Sequence, residues 1–170
     1  MSLCKCLKSL ILAGAVLILA ASVATPAKAQ LSAFAGVNFP TGKFGDTAGT
    51  GWQLGAAYDL SLLPIVSVGA WGAFNRFGLD NADGNYNSWE LLARGKLSLP
   101  ITGLYGWLGL GLSNSKLSIK NLDNSRQTDF TWALGGGWKM TLLDITLTYH
   151  QIGTERTTSN YFTLGAGVSF

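Results

Sequence analysis

The sequence predicts an all-β protein, an eight-stranded antiparallel transmembrane β-barrel whose strands run up and down in order. Three observations carry this prediction. Apolar residues alternate with small or polar ones along short segments, as they do in strands. Long polar connections alternate with short turns along the chain, which is typical of barrels that cross a membrane. Aromatic side chains collect at the two ends of the apolar faces, where a bilayer would have its interfaces.

The N-terminal segment has the features of a cleavable signal peptide. Lysines precede an apolar run from Leu10 to Val23, and Ala27 and Ala29 form a small–x–small cleavage site. The apolar run is short for a membrane-spanning helix, which needs about 20 residues. We therefore expect residues 1–29 to be removed and residues 30–170 to form a single barrel domain.

Removal of the signal changes the charge of the protein. The whole chain carries 12 basic and 9 acidic residues, but three of its lysines lie in the signal, so the chain that remains is neutral. A neutral chain gives no support for a nucleic-acid partner. Both cysteines also lie in the signal, and His150 is the only histidine. We therefore expect no disulfide, no metal site and no cofactor.

Prolines, polar stretches and short turns divide residues 30–170 into eight predicted strand segments. Their apolar runs are too short for helical membrane spans, which need about 20 residues. The prolines Pro40, Pro64 and Pro100 fall between apolar segments, as suits turns. Polar stretches cover Thr41–Gly51, Gly78–Ser88, Asn114–Asp129 and Gly153–Asn160, and short turns cover Ser61–Pro64, Pro100–Gly103 and Thr141–Leu142. The segments between them are Leu31–Phe39, Trp52–Leu60, Ile65–Phe77, Trp89–Leu99, Leu104–Ser113, Phe130–Met140, Leu143–Gln151 and Tyr161–Phe170.

The charges inside these segments favour one face. A charge that faced lipid at mid-depth would cost roughly 2–4 kcal/mol. Of seven charges, only Arg76 falls outside the polar face, at the outer end of its strand, where it can reach the interface. The other six are expected in the lumen: Asp59, Glu90, Arg94, Lys96, Lys139 and Asp144. Lys139 and Asp144 flank a two-residue turn in matching phase and could pair across it.

Aromatic residues on the apolar faces predict two girdles. Those at the loop end are Phe39, Trp52, Phe74, Trp89, Phe130, Trp132, Tyr149 and Phe162, and those at the turn end are Tyr58, Trp138 and Phe170. Such banding by depth is expected of a membrane barrel. A secreted lipocalin-like barrel would instead hold its apolar face inside and its charges outside.

The two ends of the barrel domain resemble a known family. The last strand ends in Phe, with apolar residues at alternate positions before it, and looks like a C-terminal signal for the outer-membrane assembly machinery; its residues are Phe162, Leu164, Ala166, Val168 and Phe170. The opening segments Phe34–Gly42 and Phe44–Asp46 are similar to the start of the outer-membrane protein β-barrel domain family, which includes small OmpX-like barrels grouped as the porin family. The resemblance implies an integral protein of a Gram-negative outer membrane. It implies no single activity, because members differ in their loops. The even strand count predicts that both termini are periplasmic.

A filled lumen is the favoured interpretation of the inward face. Eight strands enclose a space just wide enough for side chains, and Trp71, Tyr105 and Trp107 point inward with the six balanced charges. We therefore expect a protein that acts structurally or through its extracellular loops, in surface binding, adhesion or envelope integrity. The alternative is a small porin-like channel for small solutes. The expected partners are outer-membrane lipids and lipopolysaccharide and the assembly machinery, and the chain is expected to be a monomer.

A lipid-modifying enzyme is the minor alternative. Such catalysis needs a histidine with a serine and a carboxylate within hydrogen-bond reach. His150 is followed by Gln151 and Ile152, not by the His-x-Ser arrangement of the lipid A deacylases, and its phase points it to the lumen near the outer rim. The segment Asp80–Asn85 resembles a calcium loop only faintly, because the twelfth position is Leu91. We therefore expect no enzymatic activity.

Overall fold

The computed structural model describes residues 29–79, 84–99, 101–119, 125–153 and 158–170. The strands form a closed barrel in which each pairs antiparallel with the next and β8 pairs with β1. The elements are β1 (Ala29–Thr41), α1 (Gly42–Gly45), β2 (Ala48–Ser61), β3 (Val66–Leu79), β4 (Gly84–Ser98), β5 (Leu104–Ile119), β6 (Ser125–Met140), β7 (Leu143–Ile152) and β8 (Ser159–Ser169). The predicted fold class is confirmed. The predicted signal peptide lies outside the described residues except for Ala29, which opens β1 opposite Leu60.

Closure joins the first strand to the last. The register runs from Ser32 opposite Ser169 to Thr41 opposite Asn160. Beyond it, the backbone of Leu31 exchanges two hydrogen bonds with Phe170, at 2.8 and 3.2 Å. A closed ladder leaves no unpaired sheet edge, which is the condition for a β-structure to cross hydrocarbon.

Burial follows the period of two that the pleat of a strand imposes. In β8, Tyr161, Thr163 and Ser169 are buried, whereas Phe162 and Leu164 are exposed on the outside. The same pattern holds around the barrel: many of the buried residues are polar, and many large apolar residues are exposed on the outside. No helix in the described part of the chain is long and apolar enough to cross a membrane.

The strands are longer at the loop end than the sequence predicted, and the largest differences, of five or six residues, are in β4, β5 and β6. β4 begins at Gly84, not at Trp89; β5 ends at Ile119, not at Ser113; β6 begins at Ser125, not at Phe130. The prediction was wrong here because polar residues on both faces leave no hydrophobic alternation to detect. The ladder nevertheless continues, with Gly84 opposite Ile119 and Lys116 opposite Arg126. Residues 75–79, 84–88, 113–119 and 125–129 therefore form a protruding sheet that continues the barrel wall.

The connections at the opposite end are short turns where the sequence predicted them. Thr141 and Leu142 join β6 to β7, and Thr141 has a positive φ of 53°. Gly103 also has a positive φ, and a Cβ at this position would lie 2.3 Å from the backbone oxygen of Lys139. Only glycine fits that turn without strain.

Inward-facing glycines make room for large rings. Trp107 is 5% exposed, and a Cβ on Gly135 would lie 2.5 Å from its indole Nε1 and 2.7 Å from Thr148 Oγ1. Gly95 faces outward, and a Cβ there would meet nothing within 4 Å. The cross-section is thus filled by pairing a ring on one strand with a glycine on the next.

This complementarity predicts opposite behaviour for two glycines of the barrel wall. Gly135→Ala should lower the free energy of unfolding by about 1–3 kcal/mol because the methyl group overpacks Trp107. Gly95→Ala should leave stability unchanged or slightly raised, because alanine restricts the unfolded chain. Urea unfolding of the refolded barrel, followed by heat-modifiable gel mobility, measures both. Equal stability of the two variants would contradict the packing of Trp107 against Gly135.

Candidate functional site in the barrel lumen

An ionic cluster occupies the half of the lumen nearest the short turns. Arg94 donates two hydrogen bonds to the Asp59 carboxylate, the one from Nε at 2.7 Å. Lys96 Nζ lies 3.8 Å from the same carboxylate and 4.0 Å from the centre of the Tyr105 ring. The side chains of Arg94, Lys96 and Asp59 are only 8%, 7% and 2% exposed. A forked guanidinium–carboxylate pair with a second cation beside it is the arrangement that makes buried charge tolerable.

Asp144 takes a different partner from the one that the sequence suggested. Lys139 and Asp144 are directly opposite in the register of β6 and β7, but among the described residues no ion pair forms between them. The Asp144 carboxylate instead accepts a hydrogen bond of 2.6 Å from the Tyr105 hydroxyl. Asp144 is buried, whereas Lys139 is only half-buried and lines the turn end of the lumen, because its long side chain reaches toward water.

A second cluster is built around Glu90. Among the described residues, His150 is the one basic side chain that contacts it. Glu90 accepts hydrogen bonds from Tyr161 and, at 2.8 Å, from Asn75, and its other oxygen lies 3.2 Å from His150 Nδ1. Glu90 and His150 are fully buried side chains. The imidazole stacks on Tyr161, with ring centres 4.6 Å apart and planes 3° apart. His150 is therefore a sealed interior residue and not a group exposed at the rim.

Amide side chains extend this cluster across the lumen. Asn75 Oδ1 accepts hydrogen bonds from Gln53, at 2.7 Å, and from Asn38, at 3.0 Å, and Thr163 donates to Asn38 at 2.7 Å. These residues come from β1, β2, β3 and β8, so one polar network ties strands far apart in sequence. His150 Nε2 is a buried atom without a partner in the described structure.

An aromatic layer separates the two clusters. Phe34 stacks on Trp71 with ring centres 5.4 Å apart, and Trp71 lies 5.9 Å from Trp107. Leu92 and Ala133 pack against them and are almost fully buried. A cavity of about 30 Å³ remains between this layer and the ionic cluster, which is room for about two water molecules.

Aromatic side chains also cap the loop end. Phe44 of α1 lies 5.1 Å from the rings of both Phe77 and Tyr86, and Phe77 lies 5.1 Å from Tyr161. Burial raises the pKa of the Tyr86 phenol above its ordinary value of 10.0, and its hydroxyl donates to Ser115 at 2.7 Å. The turn end is open by contrast, with a polar recess of about 390 Å³ beside Lys96 and Lys139.

The predicted girdle residues lie on the outer surface, and several contact one another through tilted or edge-to-face rings. Phe74 lies between Trp52 and Trp89, with ring centres 5.5 and 4.9 Å away. Tyr149 lies between Trp132 and Phe162, at 5.6 and 5.0 Å. The remaining girdle residues are each exposed by two fifths or more: Phe39, Phe130, Tyr58, Trp138 and Phe170. Of the predicted C-terminal signal, all five residues face outward: Phe162, Leu164, Ala166, Val168 and Phe170.

Within the described residues, no three histidine, cysteine, aspartate or glutamate side chains are grouped closely enough to hold a metal ion. Asp80 and Asp83 of the faint calcium motif lie outside the described residues. The Glu90 cluster contains His150, the histidine weighed for catalysis, beside a carboxylate that was predicted only as a lumen charge. It adds Tyr161 and Asn75, which sequence reasoning missed although their alternation phase points them inward.

A closed eight-stranded barrel with an aromatic-banded apolar exterior and a polar, packed interior defines a membrane-spanning β-barrel protein. The model of the family described as outer membrane protein beta-barrel domain matches residues 11–170, so the chain belongs to that family.

Solved structures show the same fold. Neisserial surface protein A is 17% identical with a TM-score of 0.56, covering 83% of this chain and 95% of its own. Ail, the attachment invasion locus protein of Yersinia pestis, is 18% identical with a TM-score of 0.58, covering 86% and 100%. The N-terminal β-barrel domain of Pseudomonas aeruginosa OprF is 19% identical with a TM-score of 0.54, covering 84% and 96%. No curated protein matches the chain. The protein is thus an outer-membrane β-barrel, and identities this low show the fold alone.

The buried ion pair predicts a strong coupling between Asp59 and Arg94. Asp59→Ala should lower the free energy of unfolding by about 3–5 kcal/mol, because it leaves two buried cations without their carboxylate. Adding Arg94→Leu to that variant should cost less than Arg94→Leu does in the wild type. Urea unfolding of all four proteins gives the coupling. Lys139→Ala, which removes a cation with no ion pair in the described lumen, is the control and should change stability by less than about 0.5 kcal/mol. Strictly additive effects at Asp59 and Arg94 would contradict the assignment.

Proposed function

We propose that the protein is a non-conducting outer-membrane barrel that acts structurally or through its extracellular part. The observation that carries this proposal is the filled lumen. The ionic cluster, the aromatic layer, the Glu90 network and the Phe44 cap follow one another along the axis. Moving a solute through would require breaking buried hydrogen bonds and ion pairs at more than one level.

The exterior supports action at the surface. The protruding sheet extends beyond the loop-end girdle on β3 to β6 and offers a structured face outside the apolar band. The short turns and the two ends of the barrel lie together at the other end, which supports periplasmic termini in a Gram-negative envelope. A closed ladder without a free edge supports a monomer. The outward C-terminal residues are available to the assembly machinery, and processing after Ala29 would leave Gln30 first.

Conductance tests the filled lumen directly. The wild-type barrel in planar phosphatidylcholine bilayers should give no steady current steps. A variant with Trp71→Ala and Trp107→Ala, which removes most of the aromatic layer, should show more current than the wild type if it keeps its heat-modifiable mobility. Steady channels from the wild-type protein would overturn the proposal and favour the porin-like alternative.

The surroundings of His150 support the proposal of a non-enzymatic role. Its side chain is fully buried between Tyr161 and Trp71, and the hydroxyl of Tyr161 and the carboxylate of Glu90 are occupied by each other. A lipid substrate approaches from the outer surface of the barrel, so this imidazole is on the wrong side of the wall.

His150→Ala is expected to leave lipid A unchanged while weakening the fold, because it removes a stacked ring and empties a buried site. Mass spectrometry of lipid A from cells with wild-type or variant protein measures the first effect, and urea unfolding measures the second. A difference in acylation that depended on His150 would establish an enzyme.

A further inference from the structure

Three cations stand in one cross-strand row on the outer surface of the protruding sheet. In the register, Arg76 of β3 is opposite Asn87 of β4, Asn87 is opposite Lys116 of β5, and Lys116 is opposite Arg126 of β6. Directly opposite residues share a face of the sheet. That face is the outer one, because the same alternation carries the exposed Trp89 and Phe130. We refer to Arg76, Asn87, Lys116 and Arg126 as the basic row.

No carboxylate of the described residues balances the basic row. Its three cations form no ion pair within that part of the chain. Asp129 is near Arg126 in the sequence, but it shares the alternation phase of the buried Thr131 and therefore does not lie on the outer face with the row. Its carboxylate accepts a hydrogen bond of 2.8 Å from Gln127. The described outward residues of the protruding sheet are therefore neutral or cationic.

This arrangement of cations is unfavourable when no anion is bound to the sheet. Lys116 and Arg126 are directly opposite each other, and like charges in that position destabilise strand pairing. An anion between them would convert the repulsion into two attractions. A guanidinium also binds phosphate through two parallel hydrogen bonds, for which its planar fork is suited.

The depth of the basic row selects the kind of anion. Arg76 lies two residues beyond the girdle residue Phe74, and Arg126 lies four residues beyond Phe130. With a rise of about 3.3 Å per residue and a strand tilt of about 40°, these side chains start about 5 and 10 Å above the girdle. The polar layer of a bilayer extends about 5–8 Å beyond its hydrocarbon on each side. The row therefore projects sideways into the headgroup layer and the zone just above it.

We propose that the basic row is a binding site for the phosphate groups of lipopolysaccharide in the outer leaflet. The occupant is a membrane lipid because the side chains leave the wall sideways, at and just above headgroup depth, beyond the outward aromatic rings of Trp52, Phe74 and Trp89. Asn87 adds a neutral amide between the cations. The site goes beyond the proposed function, and it stands or falls independently of whether the lumen conducts.

The test compares a neutralised row with a matched cation elsewhere. The variant combines Arg76→Gln, Lys116→Gln and Arg126→Gln, and the control is Lys43→Gln, which removes an exposed cation of α1 outside the row. Each protein is refolded in phosphatidylcholine vesicles containing increasing amounts of phosphorylated lipopolysaccharide. The thermal midpoint, read from heat-modifiable gel mobility, gives the apparent affinity.

Phosphorylated lipopolysaccharide should raise the midpoint of the wild type and of Lys43→Gln alike. The triple variant should bind about 100-fold more weakly, which is about fivefold for each cation removed. Dephosphorylated lipopolysaccharide should have little effect on any protein, and added salt should weaken the wild-type response. Lys116→Gln and Arg126→Gln, tested singly, give the same measurement should the triple variant fold poorly.

Several results would overturn the proposal. The triple variant could respond like the wild type, or Lys43→Gln could lose as much affinity as the triple variant. Dephosphorylated lipopolysaccharide could be as effective as the phosphorylated form, which would assign binding to acyl chains or sugars. A soluble sulfated polysaccharide could raise the wild-type midpoint at lower concentration than lipopolysaccharide does, which would assign the row to a soluble polyanion. Conductance is measured separately, so failure of either idea is recognised without the other.

Discussion

Closure of the hydrogen-bonded ladder is the constraint on which the rest of this structure depends. In hydrocarbon every backbone donor and acceptor needs a partner from the chain, and the pairing of β8 with β1 supplies the last set. Once the ladder closes at eight strands, the interior has a fixed and small cross-section. Every inward side chain must then fit against its neighbours in the lumen. This is why Trp107 lies against Gly135 on the next strand and why Asp59 of β2 pairs with Arg94 of β4, two strands away.

The features that could be predicted from the sequence are those that the alternation of apolar and polar residues determines. Strand number, strand phase, the side of each of the six lumenal charges and the outward aromatic rings all follow from a period of two, because the phase of a residue decides its face. Partners across the lumen do not follow from it. Glu90 and Tyr161 are 71 positions apart, and their contact depends on how far the strands are staggered around the closed barrel. That stagger is a global property of the sheet, and no local pattern records it. The possible Lys139–Asp144 pair does not form for a local reason, since Tyr105 of β5 reaches over Gly137 of β6 and donates to the Asp144 carboxylate.

The balanced composition of the chain does not predict the basic row. In the same way, the alternation within single strands does not predict the contacts of the Glu90 network. Nine basic and nine acidic residues in the chain after Ala29 suggest no electrostatic patch. A sheet, however, sorts charges by phase, and it gathers onto one line residues from distant parts of the sequence, such as Arg76 and Arg126. The sequence also assigned Lys116 and Arg126 to a polar loop. Only their place in paired strands gives them a common face and a fixed spacing.

The aromatic cap and the basic row lie on opposite faces of the same strands. Phe77 is next to Arg76 in β3, and Tyr86 is next to Asn87 in β4. On the inner face, Phe77, Tyr86 and Phe44 pack together, and the Tyr86 hydroxyl bonds to Ser115, the neighbour of Lys116. Interior packing therefore fixes the strand positions from which the cations project. A preorganised row loses less conformational entropy on binding than flexible loop cations would. The aromatic cap that closes the lumen thus also supports the outward surface, which links the filled interior to a role at the exterior of the barrel.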